Sequence, residues 1–147
     1  GGSFTMSGGS ITGNKSDSFG GGVYVGSDGK FTVSGDVTIT GNTAKGNTSN
    51  VYLPADKTIM VSGALGENAK IGVTTANTPA EGSYLTIAKG IDKNSSKYTL
   101  TETDLNAFTS DSSYGKRLNG NSIIFTNGDL HIRRRLFGWR CWSRCCR

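Results

Sequence analysis

The sequence predicts an all-β protein: a parallel β-helix solenoid of about three coils followed by a C-terminal capping region. Two observations carry that expectation. The first is an internal repeat. Phe4-Thr5-Met6-Ser7-Gly8-Gly9-Ser10-Ile11-Thr12-Gly13-Asn14 returns as Phe31-Thr32-Val33-Ser34-Gly35-Asp36-Val37-Thr38-Ile39-Thr40-Gly41-Asn42, at an offset of 27 that one inserted residue raises to 28. A more degenerate third copy, Ile59-Met60-Val61-Ser62-Gly63, stands 28 further on, and Val23-Tyr24-Val25 returns at the same spacing as Val51-Tyr52-Leu53. The second is composition. Residues 1–130 hold 21 Gly, 16 Ser, 17 Thr and 11 Asn, half of that segment, with short alternating runs of β-branched and aromatic residues set among them. Such a mix describes short strands joined by tight turns, because a disordered chain of this polarity would lack the regular apolar returns.

Residues 1–74 form the repeats. In Phe31-Thr32-Val33 and Ile59-Met60-Val61 the apolar residues alternate, as they do when one strand face points into a core. Phe4, Phe31 and Ile59, with Val33 and Val61, are therefore the expected inward stack, while Thr32, Ser34 and Ser62 face out or begin turns. Gly8, Gly35 and Gly63 hold one position in the three copies and are expected at a corner that needs positive φ. One such unit cannot cover its own apolar face, and stacking the units buries it continuously. Asn14, Asn42 and Asn68 each accompany an apolar run at a similar interval, so stacking should bring them to one corner, where amides can bond along the axis. A row of polar ligand-binding groups is the alternative for the same three residues.

Residues 75–130 lose the period. Tyr84-Leu85-Thr86-Ile87 alternates like a strand. Thr103 followed by Asp104, Leu105 and Phe108 suits a capped helix of one or two turns, and Ser122-Ile123-Ile124-Phe125-Thr126 before Asn127-Gly128 reads as a final strand and turn. The open end of a solenoid exposes strand edges, so an irregular cap with strands and a short helix is expected here, with a small independent binding module as the alternative.

Gly20-Gly21-Gly22-Val23-Tyr24-Val25, with Ile11-Thr12-Gly13-Asn14 and Ile39-Thr40-Gly41-Asn42, resembles the right-handed parallel β-helix repeats of large bacterial surface and secreted proteins. The likeness is to the GGA(I/V) and FxxN repeats of polymorphic outer-membrane proteins and adhesins, with Ile in place of Phe in the second pattern. It spans about residues 1–130. The resemblance implies a right-handed coil, an extracellular or cell-surface location, and a structural and adhesive function with host or matrix glycans or proteins as partners. It carries no catalytic residue with it.

The formal charge of +5 is a property of residues 131–147, which hold six of the seven Arg, the only His, both Trp and all three Cys. The remaining 130 residues carry 10 basic and 11 acidic side chains, a balance that does not point to nucleic acid. The tail admits several readings: a Cys3His zinc site from His131, Cys141, Cys145 and Cys146, a basic contact through Arg133-Arg134-Arg135, a disulfide-forming terminus, or a disordered or aberrant terminus read in another frame. The last fits the abrupt change in composition. No apolar run is long enough for a transmembrane helix. With no leader at Gly1, the chain reads as a monomeric fragment of a longer repeat protein.

Because β-helices also include polysaccharide lyases and hydrolases, a carbohydrate-active enzyme fragment is the alternative function. It would need clustered carboxylates with a basic residue beside them. Asp17, Asp28, Asp36 and Asp56 are instead scattered at turns, and residues 1–116 contain no Arg. No catalytic residue, cofactor or metal site is expected in the repeats. A flat Thr ladder of the ice-binding kind is interrupted where Met60 replaces Thr32.

Overall fold

The computed structural model of the chain describes residues 1–92 and 97–128, so the readings placed on 131–147 lie outside the described residues. The first coil comprises β1 (Ser3–Met6), β2 (Gly9–Thr12), β3 (Lys15–Ser16) and β4 (Val23–Tyr24). The second comprises β5 (Lys30–Gly35), β6 (Val37–Thr40), β7 (Thr43–Ala44), β8 (Asn47–Thr48) and β9 (Val51–Leu53). The third holds β10 (Ile59–Leu65) and β11 (Lys70–Thr75), and after it come β12 (Tyr84–Gly90), α1 (Glu102–Ala107), β13 (Phe108–Ser110), β14 (Gly115–Asn119) and β15 (Ser122–Thr126).

Equivalent strands pair in parallel from coil to coil, which makes the chain a parallel β-solenoid of about three turns. One sheet runs β1-β5-β10-β12-β15-β14, a second runs β2-β6-β11-β9-β4 with β13 also on β11, and a small third runs β3-β7-β8. The register puts Phe4 on Phe31, Met6 on Val33 and Val33 on Val61 in the first sheet. In the second it puts Ile11 on Ile39, Ile39 on Ile71 and Ile71 on Phe108. Like side chains therefore form columns along the axis. Phe31, Val33, Ile59 and Val61 are all buried, each contributing roughly 1.5–3 kcal/mol by leaving water. Phe4 belongs to the same column and stacks on Phe31 with ring centroids 5.4 Å apart, yet it is 47% exposed because its coil is the outermost.

The corner glycines divide. Gly35 turns with φ of 70°, and Gly8 lies beside it one coil earlier. Gly63 does not share that place. The third coil carries a register shift between Val61 and Leu65 that sets Leu65 opposite Gly35, leaving Gly63 inside β10. Buried Leu65 fills the corner instead, and its N–H donates to Asp104 of α1 at 2.9 Å.

Strand pairing continues past residue 75, with β12 parallel to β10 and β13 parallel to β11. Then the direction reverses: β15 pairs antiparallel with β12, and β14 with β15. The helix begins two residues earlier than the sequence suggests. Its N-cap is Thr101, not Thr103, because Asp104 at N3 reaches back to the Thr101 N–H at 2.8 Å while the Thr101 hydroxyl oxygen receives the Asp104 N–H, a capping box. Among the described residues no cation stands beside the fully buried Asp104 carboxylate. Hydrogen bonds from Leu65, Tyr98 and Thr101 satisfy it. At the other end of α1, the Lys116 ammonium donates to the carbonyls of Asn106 and Phe108, and burial lowers its pKa. No helix among the described residues is long and apolar enough to cross a membrane.

Candidate binding ledge

Ile11 and Val23 stand twelve positions apart, as do Ile39 and Val51, whereas their partners Ile71 and Val73 in the third coil stand two positions apart. The first two coils thus carry an excursion that the third lacks, since β11 alone continues both β6 and β9. The excursions stack through β3 and β7. In the second coil, β7 turns back into β8 through Lys45 and Gly46, with φ of 52° and 81°, the two left-handed residues of a type I′ hairpin turn.

A chain of amides closes the base of these excursions. The Asn14 N–H and Nδ2 both donate to Asn42 Oδ1, at 3.0 and 3.1 Å. The Asn42 N–H and Nδ2 both donate to Asn50 Oδ1, each at 3.0 Å. The Asn50 N–H and Nδ2 then donate to the two carboxylate oxygens of Asp111, each at 2.8 Å, and the Thr74 hydroxyl donates to the same carboxylate. Asn42 is fully buried, and its Nδ2 also reaches the Ile11 and Thr40 carbonyls. Asn14 and Asn42 thus meet at one corner, but Asn68 does not join them. It lies exposed in the turn before β11, at a different corner, because the third coil omits the excursion that would have carried its counterpart. Asn50, which sequence reading did not single out, takes the place. The space it needs comes from Gly22, where a Cβ would stand 2.9 Å from Asn42 Nδ2 and 3.0 Å from the Asn50 carbonyl, and from Gly72, where a Cβ would meet Asp111 Oδ1 at 2.6 Å.

The outer side of the same excursions carries three aromatic rings. Val23 and Val51 point inward, so the alternation of a strand turns the register partners Tyr24 and Tyr52 outward. Their rings stack 5.7 Å apart at an interplanar angle of 9°. Phe19, on the first excursion, stacks on Tyr52 at 4.7 Å and 28°, and the Lys45 ammonium sits 5.0 Å from the centre of the Phe19 ring, within cation–π range. Phe19 and Tyr24 remain 48% and 54% exposed. Little is gained in fold stability by leaving such large rings half in water, and single-sided aromatic surface of this kind is suited to a partner's apolar face. The signal for the tyrosines was present in the alternation of Val23-Tyr24-Val25. That for Phe19 was not, because it depends on how a turn folds over the neighbouring coil.

A groove of about 270 Å³ on the outer face of the first sheet, lined by Lys30, Thr32, Asp56, Lys57 and Met60 among others, falls below the usual volume of small-molecule sites. Thr5, Thr32 and Met60 pair in one row of this sheet, so the Thr row ends at the third coil. Among the described residues no three His, Cys, Asp or Glu side chains gather as metal ligands. Compared with protein-family models, curated proteins and solved structures, the chain matches none of them.

Proposed function

We propose that this chain is a non-enzymatic structural and adhesive segment of a bacterial cell-surface or secreted protein, and that it contacts host or matrix glycans through the Phe19–Tyr52–Tyr24 ledge. The exposed aromatic stack beside the Lys45 cation carries this reading. A pyranose ring presents an apolar C–H face that packs against an aromatic ring, while its hydroxyls can bond the two phenols at the rim. Lys45 favours sugars that bear a carboxylate or sulfate. The solenoid suits this use because columns of buried side chains and the amide chain hold the excursions on a rigid frame. The likeness of the repeats to those of bacterial surface proteins supports the same reading.

The experiment is a glycan array with the full chain, followed by titration of any hit against wild type, Tyr24→Ala and Phe19→Ala. Either substitution is expected to weaken binding at least ten-fold with little change in melting temperature. Equal binding by the variants would overturn the ledge as the contact, and release of reducing or unsaturated ends from the glycan would overturn the non-enzymatic reading.

A further inference from the structure

The groove on the outer face of the first sheet lies over β5 and β10 and reaches Ile91 just past β12, with β1 on one side and β15 on the other. Its side chains are of mixed kind. Met60 and Ile91 are apolar, Lys30 and Lys57 bring ammonium groups, Asp56 a carboxylate and Thr32 a hydroxyl. Among the described residues none of these four polar side chains has a hydrogen-bond or ion-pair partner. The charges balance. Lys89 is the register partner of Met60, Asp92 follows Ile91 and Asp28 precedes Gly29 at the rim, so three lysines are matched by three acids and no ion of either sign is favoured. Asp56 also holds a φ of 64°, a left-handed backbone that glycine takes at less cost, so its carboxylate is not a demand of the turn.

The groove is continuous with the aromatic ledge through a run of contacts. Lys45 lies over Phe19, and Phe19 and Tyr24 both stack on Tyr52. A Cβ on Gly26 would touch Tyr24 Cε1 at 3.9 Å, and the Gly26 carbonyl accepts the N–H of Gly29, which lines the groove, at 3.0 Å. We infer that the groove is a second sugar subsite, which takes a neutral ring of the same glycan chain whose acidic sugar lies at Lys45; this rests on the ledge reading. A pyranose matches it. Each hydroxyl both donates and accepts, so adjacent hydroxyls bond an ammonium and a carboxylate at once, while the C–H face covers Met60 and Ile91. At about 270 Å³ the groove is too small to hold a free ligand well, and tethering to the ledge supplies the effective concentration it needs. The ligand class is therefore an oligosaccharide that joins uronic or sulfated sugars to neutral ones and is long enough to run from Phe19 past Gly29.

The test titrates the full chain by calorimetry with a disaccharide, a tetrasaccharide and a hexasaccharide of one polymer that alternates a uronic acid with a neutral N-acetylhexosamine. Wild type is expected to bind the hexasaccharide at least ten-fold more tightly than the disaccharide, which reaches the ledge alone. Asp56→Gly, which relaxes its turn, and Lys57→Ala should each lose most of that gain with length and bind the disaccharide as wild type does. Phe19→Ala should weaken binding of all three. Equal affinity at every length, or a gain that both groove variants keep, would overturn the inference, and the ledge reading would stand as long as Phe19→Ala still weakens binding. Binding that Phe19→Ala leaves unchanged at every length would overturn both. If none of the three sugars binds, the inference falls and the glycan array alone decides the ledge.

Discussion

Asn50 donates both its backbone N–H and its side-chain amide to the carboxylate of Asp111, 61 residues later, at 2.8 Å each. This pair anchors the amide chain that starts at Asn14. Hydrogen bonds to a charged acceptor are among the stronger ones, and removing the acceptor leaves partly buried donors unsatisfied. Asp111→Ala is therefore expected to cost about 3 kcal/mol, lowering the melting temperature by on the order of 10 °C. Asp111→Asn should recover only part of this, because one of its two positions becomes a donor facing donors. Thermal melts of both variants check the order. A melt of Asp111→Ala that matches wild type would remove Asp111 from this role.

Gly72 and Gly22 make room for the same chain. An alanine Cβ at Gly72 would overlap Asn50 Nδ2 and Asp111 Oδ1, and neither can retreat without breaking its bonds. Gly72→Ala should destabilise by roughly 1–3 kcal/mol, measured as a drop in the denaturant midpoint at constant slope. Gly41→Ala is a control for strain alone, since its Cβ would meet nothing within 4 Å while its φ is 68°. It should cost less.

Val33 lies between Met6 and Val61 and is fully buried. Val33→Asp places an unpaired carboxylate in the column and is expected to abolish the cooperative melt. Val33→Ala should cost about 2 kcal/mol through the cavity it leaves. Unchanged β circular dichroism and thermal stability in Val33→Asp would refute the inward assignment.

Tyr98 donates its hydroxyl to Asp104 at 2.8 Å. Burial first, then this bond and the carboxylate charge, push its pKa up from 10.0 to about 12. The folded state thus holds the phenol proton more tightly than the unfolded chain. The stability this contributes is fully present below pH 10 and is lost as pH rises from 10.0 towards 12. Spectrophotometric titration of the five tyrosines should show one late step that Tyr98→Phe removes, and the Tyr98→Phe variant should lose less stability than wild type over that interval. A wild-type titration without the late step would refute it.

What the sequence by itself determined was the periodic part. Phe4 over Phe31, Met6 over Val33 and Val23 over Val51 are read from equal spacing, because in a parallel stack equal spacing becomes equal position. The column-forming residues follow from alternation, and the strand at 122–126 from an apolar run closed by the Asn127-Gly128 turn signal. The tertiary structure decided whatever depends on how unequal coils are reconciled. Sequence similarity alone could not show that the third coil omits the excursion, that Gly63 and Asn68 therefore leave their expected corners, or that Asn50 and Asp111 complete the amide chain in their stead. It also could not show that Phe19 folds onto Tyr52. These partners lie tens of residues apart or in turns without a period. Their meeting is set by the requirement that buried polar groups be satisfied wherever the chain's length happens to bring them.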